Sequence, residues 1–213
     1  MRVIMLGPPG SGKGTRAHVI SEIYDIPVIS TGDILREAAG KETERGKKIR
    51  CILDQGELVP SRIVNELVKE SLERHETENG YILDGYPRNK EQAKALERTL
   101  KDRDEQLDYV LYVDTDDNTI IERLSKRRTC PKCGAVYHLE YNPPEEDMLC
   151  DECGAKLIQR RDDKPSVISK RLKVYREETE PLLEMYRQKD LVEKIPGDVK
   201  LEKLPSIIKE TLG

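Results

Sequence analysis

The sequence predicts an α/β protein: one five-stranded parallel sheet with helices on both faces, carrying two inserts. Three observations lead there. Short apolar runs alternate along the chain with stretches of helical periodicity. The glycine-rich stretch GPPGSGKGT, residues 7–15, directly follows the first apolar run. Residues 129–159 then break the alternation with cysteines, prolines and glycines.

RVIML is a continuous apolar run ended by glycine, as expected of a strand buried on both faces. GKGTRAHVISEIY places Ala17, Ile20 and Tyr24 at helical spacing, and PVIS offers a second strand. TGDILREAAG, KKIRCILDQG and PSRIVNELVKESLERH then read as three successive helices, the first two stopped by Gly40 and Gly56. Three helices in a row interrupt the alternation and mark the first insert. YILDG and YVLYVD are the third and fourth strands, each followed by a helix, NKEQAKALERTLKDR and NTIIERLSKRR. After the cysteine-bearing insert comes the long helical stretch VISKRLKVYREETEPLLEMYRQK, which Pro181 should kink or split. LVEKI and LEKLPSIIKETLG supply the last strand and helix.

The chain has 213 residues, is 36% hydrophobic and has a formal net charge of -4, enough apolar matter for a real core and no basic bias toward nucleic acid. Charged residues reach 37%, with Trp and Phe absent, a mix that resembles thermophile composition. No leader pattern or membrane-length apolar run is present, so the expectation is a soluble cytoplasmic protein.

GPPGSGKG fits G-x-x-x-x-G-K, with Gly7, Gly12 and Lys13, between a strand and a helix. Gly10, Ser11, Gly12, Lys13, Gly14 and Thr15 should cradle phosphate through backbone N–H groups, a helix N-terminus and one ammonium. Gly14 stands directly after the lysine, where the common pattern has a hydroxyl, and Thr15 follows. Asp84 closes the third strand on the same sheet edge, placed to hold Mg²⁺; Gly85 allows close approach, and Arg88 follows a proline-fixed turn. Arg123 and Arg127 share a helix face, while Arg160 and Arg171 stand at the far end of the second insert, with Asp162 and Asp163 between them. Arginines bracketing an insert are what a lid over a polyphosphate requires. The three histidines, His18, His75 and His138, form no catalytic constellation.

CPKC and CDEC set Cys130, Cys133, Cys150 and Cys153 at C-x₂-C-x₁₆-C-x₂-C, the zinc-ribbon class, each pair followed by Gly-Ala. Four thiolates complete a tetrahedron, so the metal would be structural. Two disulfides are the alternative, and a four-thiolate site also accepts Co²⁺ or Fe²⁺. Cys51 lies in a helical stretch and reads as packing.

In order along nearly the whole chain, GPPGSGKGT, STGDILR, GELVP, LDGYPRNKEQ, RLSKRR, CPKCGAVYH, RRDD and KRLKVY resemble adenylate kinases of the long, zinc-bearing bacterial type. The resemblance implies a P-loop NTPase-like core (1–29, 60–126 and 164–213), a helical insert at 30–59 that binds a nucleoside monophosphate, and a zinc-ribbon-like lid at 127–163. It implies transfer of the terminal phosphoryl group of MgATP to AMP, giving two ADP, by a monomer with no nucleic-acid or membrane partner. Thr31, Arg36, Glu57, Leu58, Val59, Gly85, Tyr86, Pro87, Arg88 and Gln92 would then face AMP. Arg127, Val136, Tyr137 and the backbone at Val199 or Lys200 would face ATP, and Lys13, Asp84, Arg88, Arg123, Arg127, Arg160 and Arg171 would be catalytic, the last two also contacting AMP. The AMP phosphate, largely dianionic near neutrality, needs no general base. Other readings are a different nucleoside monophosphate kinase, a GTP:AMP phosphotransferase, or a zinc-ribbon nucleic-acid-binding protein.

Overall fold

The computed structural model describes residues 1–213. Its elements are β1 (Arg2–Leu6), α1 (Lys13–Tyr24), β2 (Val28–Ser30), α2 (Thr31–Gly40), α3 (Glu44–Asp54), α4 (Ser61–Arg74), β3 (Tyr81–Asp84), α5 (Lys90–Asp102), β4 (Tyr109–Asp114) and α6 (Asp117–Lys126). They continue with β5 (Arg127–Thr129), β6 (Val136–His138), α7 (Pro165–Val174), α8 (Pro181–Arg187), β7 (Val192–Pro196) and α9 (Leu204–Leu212). The sheet runs β2-β3-β1-β4-β7 with every pairing parallel.

β1 lies at the centre, and its side chains alternate between the two faces as strand geometry demands. Val3 and Met5 pack with Ile82, Leu111, Val113 and Ile195 against α1 and α9, through Ala17, Ile20, Leu204 and Ile208. Ile4 and Leu6 pack on the opposite face with Ile29, Leu83 and Val110, against Val64, Val68 and Leu72 of α4, Ala93 and Leu96 of α5 and Leu182 and Leu183 of α8. This two-sided burial explains why β1, β3 and β4 read as apolar runs rather than alternating ones.

Leu35 and Ala39 of α2 and Ile49 of α3 belong to that second cluster, so the first insert packs directly onto the core. The second insert has little of its own: Cys130, Tyr137, Cys150 and Leu157 are its buried cluster, beside an antiparallel β5–β6 pair. Its two ends meet where Ile120 and Leu124 of α6 pack with Ile168 and Leu172 of α7.

Side-chain caps are local: Ser30, Thr43, Asn89 and Asp116 accept from backbone N–H groups of α2, α3, α5 and α6. The long helical stretch is not split at its proline: the backbone stays helical from α7 through Glu180 into α8, which begins at Pro181. Between α7 and α8 the chain makes one π-helical turn, Tyr175–Thr179, closed by Glu180 N donating to Tyr175 O at 2.9 Å. The β5–β6 hairpin has no counterpart among the elements that the sequence predicts.

Ile4, wholly buried at the centre of the sheet, should be the most sensitive test of this core. Ile4→Ala should lower unfolding free energy by about 2–5 kcal/mol, measured by urea titration.

Candidate active site

The C-terminal edge of the sheet carries the site, as expected where parallel strands feed their loops to one side. Helix α1 has Gly12 before it, at φ 90°, with no side-chain cap. Its first backbone N–H groups therefore stay available to an anion. Gly12 is required because an L side chain is strained at that φ.

Lys13 bends back across the loop and donates to Gly7 O at 2.8 Å and Pro8 O at 2.7 Å. Burial, helped by Arg88, Arg171 and Arg127 and opposed by Asp84, lowers its pKa to about 8. Asp84 ends β3 and pairs in register with Met5 of β1 and Ser30 of β2. Its Oδ2 lies 3.5 Å from where a Cβ on Gly14 would stand. Gly14 thus faces this carboxylate, and Thr15 beyond it is exposed at the cleft wall.

The Asp84–Arg88 loop is tightly fixed. Thr31 Oγ1 donates toward Gly85 O (2.7 Å) and Asp84 O (3.0 Å). Gly85 has φ 78°, and a Cβ would stand 2.8 Å from Thr31 Oγ1 and 2.9 Å from Arg88 Nη2, so glycine is needed here too. Arg88 Nε donates to Gly85 O at 2.9 Å, and its backbone N–H donates to Gln92 Oε1 at 2.7 Å. Tyr86 is buried, its hydroxyl donating to Asn65 Oδ1 at 2.8 Å.

The ends of the second insert bring the remaining cations in. Arg127 does not share a helix face with Arg123 as the sequence suggests: α6 ends at Lys126 and Arg127, with extended backbone, begins β5, where it makes a two-pronged pair with buried Asp163, at 2.8 and 2.6 Å. Arg171 Nη1 lies 3.0 Å from both the Asp162 and Asp163 carboxylates. Arg160 Nε donates to Thr129 Oγ1 at 2.9 Å, and Arg123 Nη1 to Gly197 O at 2.8 Å. Burial first, then mutual repulsion, presses the guanidinium groups of Arg88, Arg160 and Arg171 below their ordinary pKa values. Burial works to raise the Asp162 carboxyl, but Arg171, Arg127, Arg160 and Arg36 outweigh it and hold it low.

One cleft of about 2160 Å³ gathers Lys13, Arg36, Asp84, Arg88, Arg123, Arg127, Arg160 and Arg171. Gly10, Gly12, Gly14, Thr15, Glu57, Leu58, Gly85, Pro87, Val136, Tyr137, Val199 and Lys200 also line it. Ser11, Thr31, Val59, Tyr86 and Gln92 are instead buried in the structure behind its wall. Arg36 is tied to Asp33 of its own helix at 2.7 Å. Sequence reasoning misses Arg16: buried under the glycine loop, it donates to Gly12 O and to Pro196 O, joining the loop to the end of β7. On sequence alone it sits among helix-surface residues, and only the sheet order reveals its partner.

The four cysteine sulfurs lie within 4.8 Å of one another, as a single ion would need. Two matching turns present them. Gly134 N donates to Cys130 O at 3.1 Å and Gly154 N to Cys150 O at 2.7 Å, with Gly134 and Gly154 at φ 82° and 68°. Around the sulfurs, Lys132 N and Cys133 N approach Cys130 Sγ at 3.4 and 3.5 Å, and the Tyr137 hydroxyl lies 3.4 Å from Cys150 Sγ. Such donors suit thiolate ligands, and the set fits Zn²⁺.

The family model described as Adenylate kinase matches residues 5–191. A protein named Adenylate kinase from Thermoanaerobacter sp. (strain X514) is 47% identical over 213 residues, covering 100% of this chain and 98% of that protein. One of the same name from Archaeoglobus fulgidus is 49% identical over 202 residues, covering 95% and 93%. Another, from Oceanobacillus iheyensis, is 47% identical over 198 residues, covering 93% and 92%.

Two outcomes follow from this geometry. An anion beside Lys13 should restore its proton, so inorganic tripolyphosphate should bind with proton uptake at pH 8.5 and weaken as pH rises above about 8. Calorimetry in buffers of different ionisation enthalpy measures both. Chelation of the metal should lower the melting temperature and raise protease cutting within 127–163 while the sheet persists, followed by circular dichroism and mass mapping.

Proposed function

This chain belongs to the adenylate kinase family, and on that premise we propose how its own residues carry out ATP + AMP ⇌ 2 ADP. One observation carries the assignment: Lys13 and the arginines at 36, 88, 123, 127, 160 and 171 line a single cleft with Asp84 and the glycine loop.

The chemical difficulty is electrostatic. Two polyanions must meet end to end, and the phosphoryl group in transfer spreads charge over its oxygens. The glycine loop and the first N–H groups of α1 hold the donor phosphates, and Lys13 leaves the Gly7 and Pro8 carbonyls to pair with them. Arg88, fixed from Gly85 and Gln92, holds the acceptor phosphate beside Arg36. Arg123, Arg127, Arg160 and Arg171 converge from the lid ends on the group in flight, where oriented donors in a dry site act most strongly. Asp162 and Asp163 hold Arg127 and Arg171 in the cleft, so little reorganisation is needed. Holding both nucleotides in line supplies much of the remaining acceleration.

Asp84 would hold Mg²⁺ together with phosphate oxygens, and the ion would neutralise charge on the donor. Cys130, Cys133, Cys150 and Cys153 would hold Zn²⁺, which would fold the lid insert and take no part in the chemistry. Val136, Tyr137 and Val199 line the donor end and Glu57 and Leu58 the acceptor end. Thr31, Val59 and Gln92 act from behind, shaping the acceptor wall. Closure of 127–163 over the nucleotides excludes water and prevents hydrolysis of the donor.

We extend the reading to a monomer in the cytoplasm, where four thiolates stay reduced, without a nucleic-acid partner. No helix is long and apolar enough to cross a membrane.

With magnesium, ATP and AMP, the purified protein should accumulate ADP in a coupled assay, and a panel of donors and acceptors should rank ATP and AMP first. Lys13→Met and Arg88→Ala should each lower kcat by at least about a hundredfold while remaining folded. Near-normal turnover in either variant would refute the role of that residue.

A further inference from the structure

Arg88 is held at three points: Gly85 in its own loop, Gln92 at the start of α5, and a third. The third is remote in sequence: Thr179 Oγ1 donates to Arg88 O at 2.7 Å. Thr179 is buried and closes the π-helical turn that links α7 to α8.

That turn is what brings Thr179 to the cleft. Thr179 follows Arg171 by eight positions, and an unbroken α-helix, at about 100° per residue, would set the two side chains about 80° apart. A π turn winds at roughly 80° per residue, so four steps of it return Thr179 to within about 10° of the Arg171 direction. Both residues line the cleft, together with Val174 and Tyr175 between them. π turns inside α-helices recur at functional sites because they shift one face without breaking the rod.

We infer that Thr179 is a positioning residue for Arg88: the π turn aims its hydroxyl at the Arg88 carbonyl and so fixes the guanidinium that receives the acceptor phosphate. Gln92 takes the Arg88 N–H and Thr179 donates to its carbonyl, so the backbone of this one residue is clamped from α5 and from the α7–α8 rod. The same rod carries Arg171. The acceptor-side and lid-side cations are therefore set by one rigid element.

For its kinetic arm the inference rests on the phosphotransfer reading. Thr179→Val keeps shape and burial and leaves the Arg88 carbonyl unpaired. It should lower kcat/KM for AMP about tenfold, the usual consequence of one such unpaired group, with KM for ATP changed less than about twofold. Thr179→Ser should restore kcat/KM for AMP to within about threefold of wild type. In ligand-free protein the Arg88 Nε–H proton resonance should shift in Thr179→Val and stay in place in Thr179→Ser. Unchanged AMP kinetics in Thr179→Val, equal losses toward AMP and ATP, or failure of serine to restore would each overturn the inference. Should wild type make no ADP, the phosphotransfer reading fails instead, and an unmoved Arg88 resonance would then sink this inference by itself.

Discussion

Like charges crowded into a half-buried space are the constraint on which this structure depends. Lys13, Arg88, Arg127, Arg160 and Arg171 face one another across the same cleft, and burial strips hydration from Lys13, Arg88, Arg160 and Arg171. No local preference of the chain would place them there. They stay because each is tethered: Lys13 to loop carbonyls, Arg88 to Gly85, Arg127 and Arg171 to Asp163, and Arg160 to Thr129. The tethers of Lys13, Arg88 and Arg160 are neutral oxygens, weaker acceptors than an anion, whereas Asp163 holds Arg127 and Arg171 by charged pairs. A site built under this repulsion binds anions because an anion relieves it.

The sheet makes such crowding tolerable. Two apolar faces hold β1 and β3 rigidly, and the strand ends deliver the glycine loop and Asp84 side by side. The cations come mostly from outside this sheet, on α6, β5, α7 and the segment that returns from the second insert. Conflict between local charge and global fold is thus confined to one edge, as expected where function overrides stability.

β1, β3 and β4 were legible because burial leaves a nearly unbroken apolar run, whereas β7 exposes Glu193 and Lys194. The phosphate loop and the cysteine pairs were legible because their chemistry demands fixed spacings. The β5–β6 hairpin was not, since Arg127–Thr129 carries no apolar residue and its two arginines read as the end of the preceding helix. Arg16 and Thr179 were hidden for a related reason. Each works through a backbone carbonyl, Pro196 O or Arg88 O, that is distant in sequence, and a carbonyl leaves no mark in residue type. The π turn was equally silent: Pro181 suggests a split, not a change of winding.

The small apolar contact of Ile120 and Leu124 with Ile168 and Leu172 has a wider meaning. It joins the stem of the cysteine-bearing segment below the point where that segment departs, so the segment leaves and returns at neighbouring places. Where that segment departs and returns is therefore set by two helices of the main body and not by its own cysteine-centred cluster.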